Sequence, residues 1–181
     1  DLNAIPLTDG FVAAQGPAME AALQKLRRRA PLGSTDMRNA LTAAAASLAT
    51  KSNHGRSVVY IGDGMSRGGL LQHQRFADLV KTLSAARASV SSLAIGPQRD
   101  VNTLAAIANQ TGGVVVVDSD DVSPQQTGML LTRIVQATVL WPVKTSLPAA
   151  MREAYPETMP PLRTDRDSIL IGTITGRDAA D

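Results

Sequence analysis

Cysteine is absent from the 181 residues. That excludes disulfides, thiolate nucleophiles and cysteine-ligated zinc. Aromatic residues make up only 3% of the chain. A core must therefore be assembled from Ala, Val, Leu and Ile, a style suited to helices packed on a parallel sheet. No apolar run approaches the roughly 20 residues that a membrane-spanning helix needs, so no membrane span is expected. Gly-x-Ser-x-Gly elbows, Walker-type phosphate loops and Rossmann glycine fingerprints are also missing. Histidine is scarce: His54 and His73 both stand in polar surroundings and are expected at the surface. Neither charge dominates, with 18 basic and 16 acidic residues for a net +2. The one dense basic cluster, "KLRRRAP" at 25–31, reads as the end of a helix, where cations suit the macrodipole. No aromatics interleave with it, so no nucleic-acid partner is expected.

What is present is regular. Hydrophobic residues make up 44% of the chain and charged residues 19%, the balance of a globular domain with a substantial core. "AIPL" at 4–7 reads as a short edge strand. A helix is expected from Pro17, with Met19, Ala22, Leu23 and Leu26 on one face. Thr35 or Asp36 can cap a second helix whose buried stripe is Met37, Leu41, Ala44, Ala45 and Leu48. "SVVYIGD" follows as a continuous apolar strand of the kind buried on both faces. The next helix runs from His73 to Arg87, with Phe76, Leu79, Val80 and Leu83 inward. "SVSSLAIG" is a strand, Asp100 caps a helix carrying Val101, Leu104, Ile107 and Ala108, and "TGG" stops that helix. "VVVV" at 114–117 is expected as a buried strand. A last helix spans about 124–138, with Leu130, Leu131, Ile134 and Val135 toward the core.

Strands alternating with helices at this spacing predict an α/β domain: three layers, a mostly parallel open sheet, helices on both faces. That unit is expected over residues 1–140. Residues 141–181 are rich in proline and charge and read as a linker followed by the start of a further strand, "SILIGTI", or of a second unit. Within this tail, Arg163 and Arg166 of "MPPLRTDRD" could face an acidic partner, or belong to a charged linker.

In an open parallel sheet, ligands gather beyond the carboxyl ends of the strands. Asp63 stands there, directly after "VVYIG", and the loop holding Thr35 leads into a helix expected beside that strand. A hydroxyl and a carboxylate at one rim are hard oxygen donors suited to Mg²⁺ or Mn²⁺. In this setting "PLGSTDMRNAL" resembles the threonine loop of the von Willebrand factor type A family. "VVYIGDGMS" resembles that family's strand ending in Asp-Gly. "FADLVKTLSAARASVSSLAIGPQRDVNTLAAIANQTGG" is similar to its helix, strand and helix leading to a glycine pair.

The resemblance implies protein–protein recognition or adhesion through a metal-ion-dependent adhesion site, with no catalysis. Thr35 would be the direct hydroxyl ligand of a Mg²⁺-type cation (or Mn²⁺ or Ca²⁺), and Asp63 the carboxylate, acting through water. Ser34, Asp36, Gly64, Met65 and Ser66 would flank the cation and meet the partner. That partner would be a protein presenting an acidic side chain to complete the metal's coordination. The family's first ligand loop, Asp-x-Ser-x-Ser, has no counterpart here, and "DSDDVS" at 118–123 follows a later strand. The chain is therefore expected to start partway through the domain and to hold the cation weakly or not at all. Its sheet would lean on its own missing N-terminal segment or on another chain. Two other functions stay open: the same fold as a metal-independent interaction scaffold, and a Mg²⁺-dependent phosphoryl-transfer enzyme using Asp63.

Overall fold

The computed structural model describes residues 3–30, 35–49, 54–66 and 73–174. Strand β1 (Arg56–Gly62), β2 (Ala88–Ala94) and β3 (Val115–Val117) form a parallel sheet in the order β1-β2-β3. Register between β1 and β2 is unbroken, from Arg56 opposite Ala88 to Gly62 opposite Ala94. Among the described residues five helices accompany the sheet: α1 (Pro17–Arg27), α2 (Met37–Ser47), α3 (His73–Ala85), α4 (Val101–Thr111) and α5 (Pro124–Gln136).

The core lies where α2, α3 and α4 meet the sheet. Met37, Leu41 and Ala45 of α2 join Leu79 and Leu83 of α3, Leu104 and Ile107 of α4, and Ala88, Val90 and Ala94 of β2. Val58 and Tyr60 of β1 pack against this cluster. The stripes predicted for α2 and α3 thus face inward at their centres, with Ala44, Leu48, Phe76 and Val80 half-buried at the margins. β2 is buried along its whole length, as the middle strand of three should be.

Local chemistry fixes the ends of these elements. Asp36 caps α2, its Oδ1 accepting the Asn39 amide at 2.9 Å. Asp100 caps α4, accepting the Thr103 amide at 2.9 Å and the Thr103 hydroxyl at 2.6 Å. Gly112 ends α4 in the left-handed conformation at φ 70°. At Gly113 a Cβ would fall on the Val90 carbonyl, so only glycine lets the chain pass so close to β2. Ser123 and Gln126 form a reciprocal capping box at the start of α5.

Four expectations are corrected. Residues 4–7 carry no strand; the proline within them withholds a ladder donor. Only Ala22 of the predicted α1 stripe is buried, while Leu23 and Leu26 are exposed. Among α5's predicted core residues, Ile134 is buried, Leu131 and Val135 half-buried, and Leu130 exposed. β1 and β3, the outer strands of the sheet among the described residues, are not buried on both faces: Val59, Ile61 and Val117 are exposed.

Beyond α5 the chain forms two small antiparallel pairs. β4 (Val139–Leu140) pairs with β6 (Leu162–Arg163), and β5 (Met151–Tyr155) pairs with β7 (Ile171–Ile174). The "SILIGTI" run therefore pairs with β5, not with the parallel sheet. Arg163 is 5% exposed. Its guanidinium donates to the Gly112 carbonyl at 3.1 Å, to the Ile134 carbonyl at 2.9 Å, and to both carboxylate oxygens of Asp165 at 2.7 Å. Arg163 thus ties this segment to the ends of α4 and α5 and is not presented to an acidic partner.

Candidate functional site

Of the residues singled out from the sequence, Asp63, Gly64, Met65 and Ser66 stand at the carboxyl end of β1, and Thr35 and Asp36 at the amino end of α2. Asp63 is the first residue past β1, and its backbone is held on two sides. The Gly62 carbonyl accepts the Ile95 amide at 3.1 Å, and the Asp63 carbonyl accepts the Asp100 amide at 2.8 Å. The loop is thereby fixed to the exit of β2 and to the cap of α4.

The Asp63 side chain is half-buried. Its Oδ1 accepts the Met65 amide at 2.9 Å, an Asx turn. Gly64 makes this turn possible. It is buried at φ 76°, and a Cβ there would come within 2.9 Å of the Asp100 carbonyl and of the Leu104 side chain. Met65 then projects outward, exposed. Ser66 closes the loop, its hydroxyl accepting the Met37 amide at the first turn of α2 at 3.4 Å.

That contact joins the two predicted loops. It places residues 63–66 against the start of α2, immediately after Thr35 and Asp36, which are both half-buried. Asp36 spends one carboxylate oxygen on its capping bond. Thr35 makes no hydrogen bond to the Asp63 carboxylate among the described residues. Ser34 lies outside the described residues. Among the described residues no group of three or more His, Asp or Glu side chains could hold a metal ion. The oxygen donors on these two loops, the Thr35 and Ser66 hydroxyls and the Asp36 and Asp63 carboxylates, are of the hard class that Mg²⁺ takes.

Tyr60 packs beside these residues and was not singled out from the sequence. Its ring lies along Gly62, where a Cβ would meet the phenol oxygen at 2.6 Å. Burial raises its pKa above the ordinary 10.0, the neighbouring Gly64 backbone amide opposes that, and the Asp63 charge adds to it. The phenol is thus packed under the Asp63–Gly64 turn. Residues i and i+2 of a strand share a face, so a Tyr two places before a glycine was the available signal.

The family model for the von Willebrand factor type A domain matches residues 1–117. The chain belongs to the von Willebrand factor type A family. A solved structure, a von Willebrand factor type A protein from Catenulispora acidiphila, superimposes with a TM-score of 0.58 at 17% identity. The match covers 68% of this chain and 28% of that protein. The chain therefore spans less than a third of the solved relative's length, and the likeness at this identity concerns the fold alone. No curated protein matches the chain. In this type A chain, no helix among the described residues is long and apolar enough to cross a membrane.

Proposed function

We propose that the chain is a protein–protein recognition module whose contact point is the rim between β1 and α2, organised around a Mg²⁺-type cation. The observation that carries this reading is the Ser66–Met37 hydrogen bond, which brings the Asp63 loop against the start of α2 just after Thr35. Family membership supports it as well, since type A domains often bind a divalent cation. Thr35 would offer its hydroxyl and Asp63 the carboxylate oxygen not used in the turn. A bound cation would supply a positive point to which a partner's Asp or Glu side chain can add as a further ligand. Asp36 keeps α2 in place, Gly64 sets the turn, and Met65 and Ser66, with Ser34, border the contact. The module acts by binding and not by turnover.

Manganese provides a direct test, because its unpaired electrons broaden nearby nuclear resonances. Added Mn²⁺ is expected to broaden the amide signals of residues 63–66 and 35–37 first, and Asp63→Ala or Thr35→Ala to abolish that selectivity. Uniform broadening over all acidic surface residues would contradict the assignment. A metal-free scaffold of the same fold is the second reading. It draws on the local work already done by both carboxylates, Asp63 in its turn and Asp36 in its cap. It predicts partner binding that survives a chelator.

A further inference from the structure

The end of the sheet opposite Asp63 holds a cavity of about 920 Å³, within the size range of small-molecule sites. The first residues of β1 and β2 form one wall, and the end of α5 with the segment after it forms the other. His54, Arg56 and Arg87 line it, and among the described residues no Asp or Glu does. Cations without a carboxylate among them favour an anionic ligand.

Local structure places these cations. Arg56 opens β1, and its Nη1 donates to the Ala86 carbonyl at 2.8 Å, which fixes the guanidinium across the turn between α3 and β2. Arg87 ends that turn at φ 49°. A positive φ is uncommon for a residue with a Cβ, and glycine would hold the same turn without strain. Backbone strain of this kind gathers at functional sites. Two hydroxyls stand beside the cations: the Ser89 Oγ lies 3.3 Å from the Ser57 Oγ, and such a pair can turn a proton toward an oxyanion.

The facing wall is apolar. Val135 and Val139 line it together with Trp141, which is half-buried and is the only tryptophan of the chain. Arg87, Ser89 and Trp141 belong to the entrance of the middle strand and to the segment after α5, apart from the outer edge of β1.

We propose that this cavity binds a nucleoside phosphate, with the phosphate oxygens on Arg56, Arg87 and the serine hydroxyls and the base against Trp141. The planar fork of arginine matches phosphate oxygens, and bases stack on aromatic faces. Inorganic pyrophosphate would meet only the first half of this site, and a neutral nucleoside only the second. The cavity lies at the other end of the sheet from Asp63, so its test is independent of the function proposed above.

Titration of the full chain with ADP, without divalent metal, tests it. Calorimetry gives the affinity, and Trp141 fluorescence reports the place. The wild type should bind with a saturable change in that fluorescence. Adenosine and pyrophosphate should each bind at least about tenfold more weakly. Arg87→Gly removes the cation while easing the turn, so the variant should fold by circular dichroism. It should lose at least about tenfold in ADP affinity, as expected for a charge-assisted hydrogen bond. Arg152→Ala, at an exposed cation on β5, should leave the affinity unchanged. Absence of saturable ADP binding up to millimolar concentration, binding without a change at Trp141, adenosine or pyrophosphate binding as tightly as ADP, or an Arg87→Gly variant no weaker than the wild type overturns the proposal.

Discussion

At the scale of single residues, the turn after β1 depends on a glycine that no other residue could replace without strain. Gly64 combines a left-handed backbone with less than ordinary contact distance to Asp100 and Leu104. Gly64→Ala is expected to destabilise the fold by about 1–3 kcal/mol through backbone strain and to displace the Asp63 turn. Chemical denaturation, together with loss of the native Met65 amide shift, checks this. Tyr60 carries a pH signature. Its folded-state pKa is raised by burial, so folding favours the neutral phenol. That stability is fully present below the ordinary value of 10.0 and is lost as pH rises through the folded value. Melting temperatures at neutral and strongly alkaline pH should diverge in the wild type and converge in Tyr60→Phe.

At the scale of elements, caps and clamps decide where the chain turns. Asp100→Ala is expected to cost about 0.5–2 kcal/mol, the usual loss of a helix N-cap, and to loosen the Asp63 carbonyl that rests on the same turn. The Arg163 clamp is larger. Replacing Arg163 with Met strands the buried Gly112 and Ile134 carbonyls, a cost of about 1–3 kcal/mol each, readable as a lower urea midpoint. The Asp165 carboxyl is held below its ordinary range first by its hydrogen bond from Arg163. This contribution is present above the ordinary value of 3.8 and is lost as pH falls through the lower folded value. Asp165→Asn should flatten the acid limb of the stability curve.

The elements were also the most legible level of the sequence. Helix caps at Asp36 and Asp100, the glycine stop after α4 and the inward stripes of α2 and α3 follow from local chemistry that needs no tertiary context. Burial of β1 and β3 was not legible, because an apolar run has the same composition in the middle of a sheet and at its edge. Leu23, Leu26 and Leu130 show the same limit: periodicity tells which residues share a face, not what lies against it. Arg163 was misread for a related reason. Its partners are backbone carbonyls of residues 112 and 134, distant in sequence and carrying no side-chain signature.

At the scale of the whole molecule, the parallel sheet of three strands among the described residues, with the core packed under α2, α3 and α4, holds the loop after β1 against the start of α2. The order of motifs pointed to the fold: three short stretches in sequence, each common alone, together resembled the type A family, to which the chain belongs. The chemistry proposed for the rim is less fully written, because two oxygen donors would leave most of a cation's shell to water and to a partner. The most direct test is a thermal melt of the full chain with and without Mg²⁺. A ligand that binds only the folded state must raise the midpoint. A rise with Mg²⁺ in the wild type that vanishes in Asp63→Ala and Thr35→Ala is the predicted result. An unchanged midpoint at saturating Mg²⁺, or an equal rise in all three proteins, would contradict a cation held between these two residues.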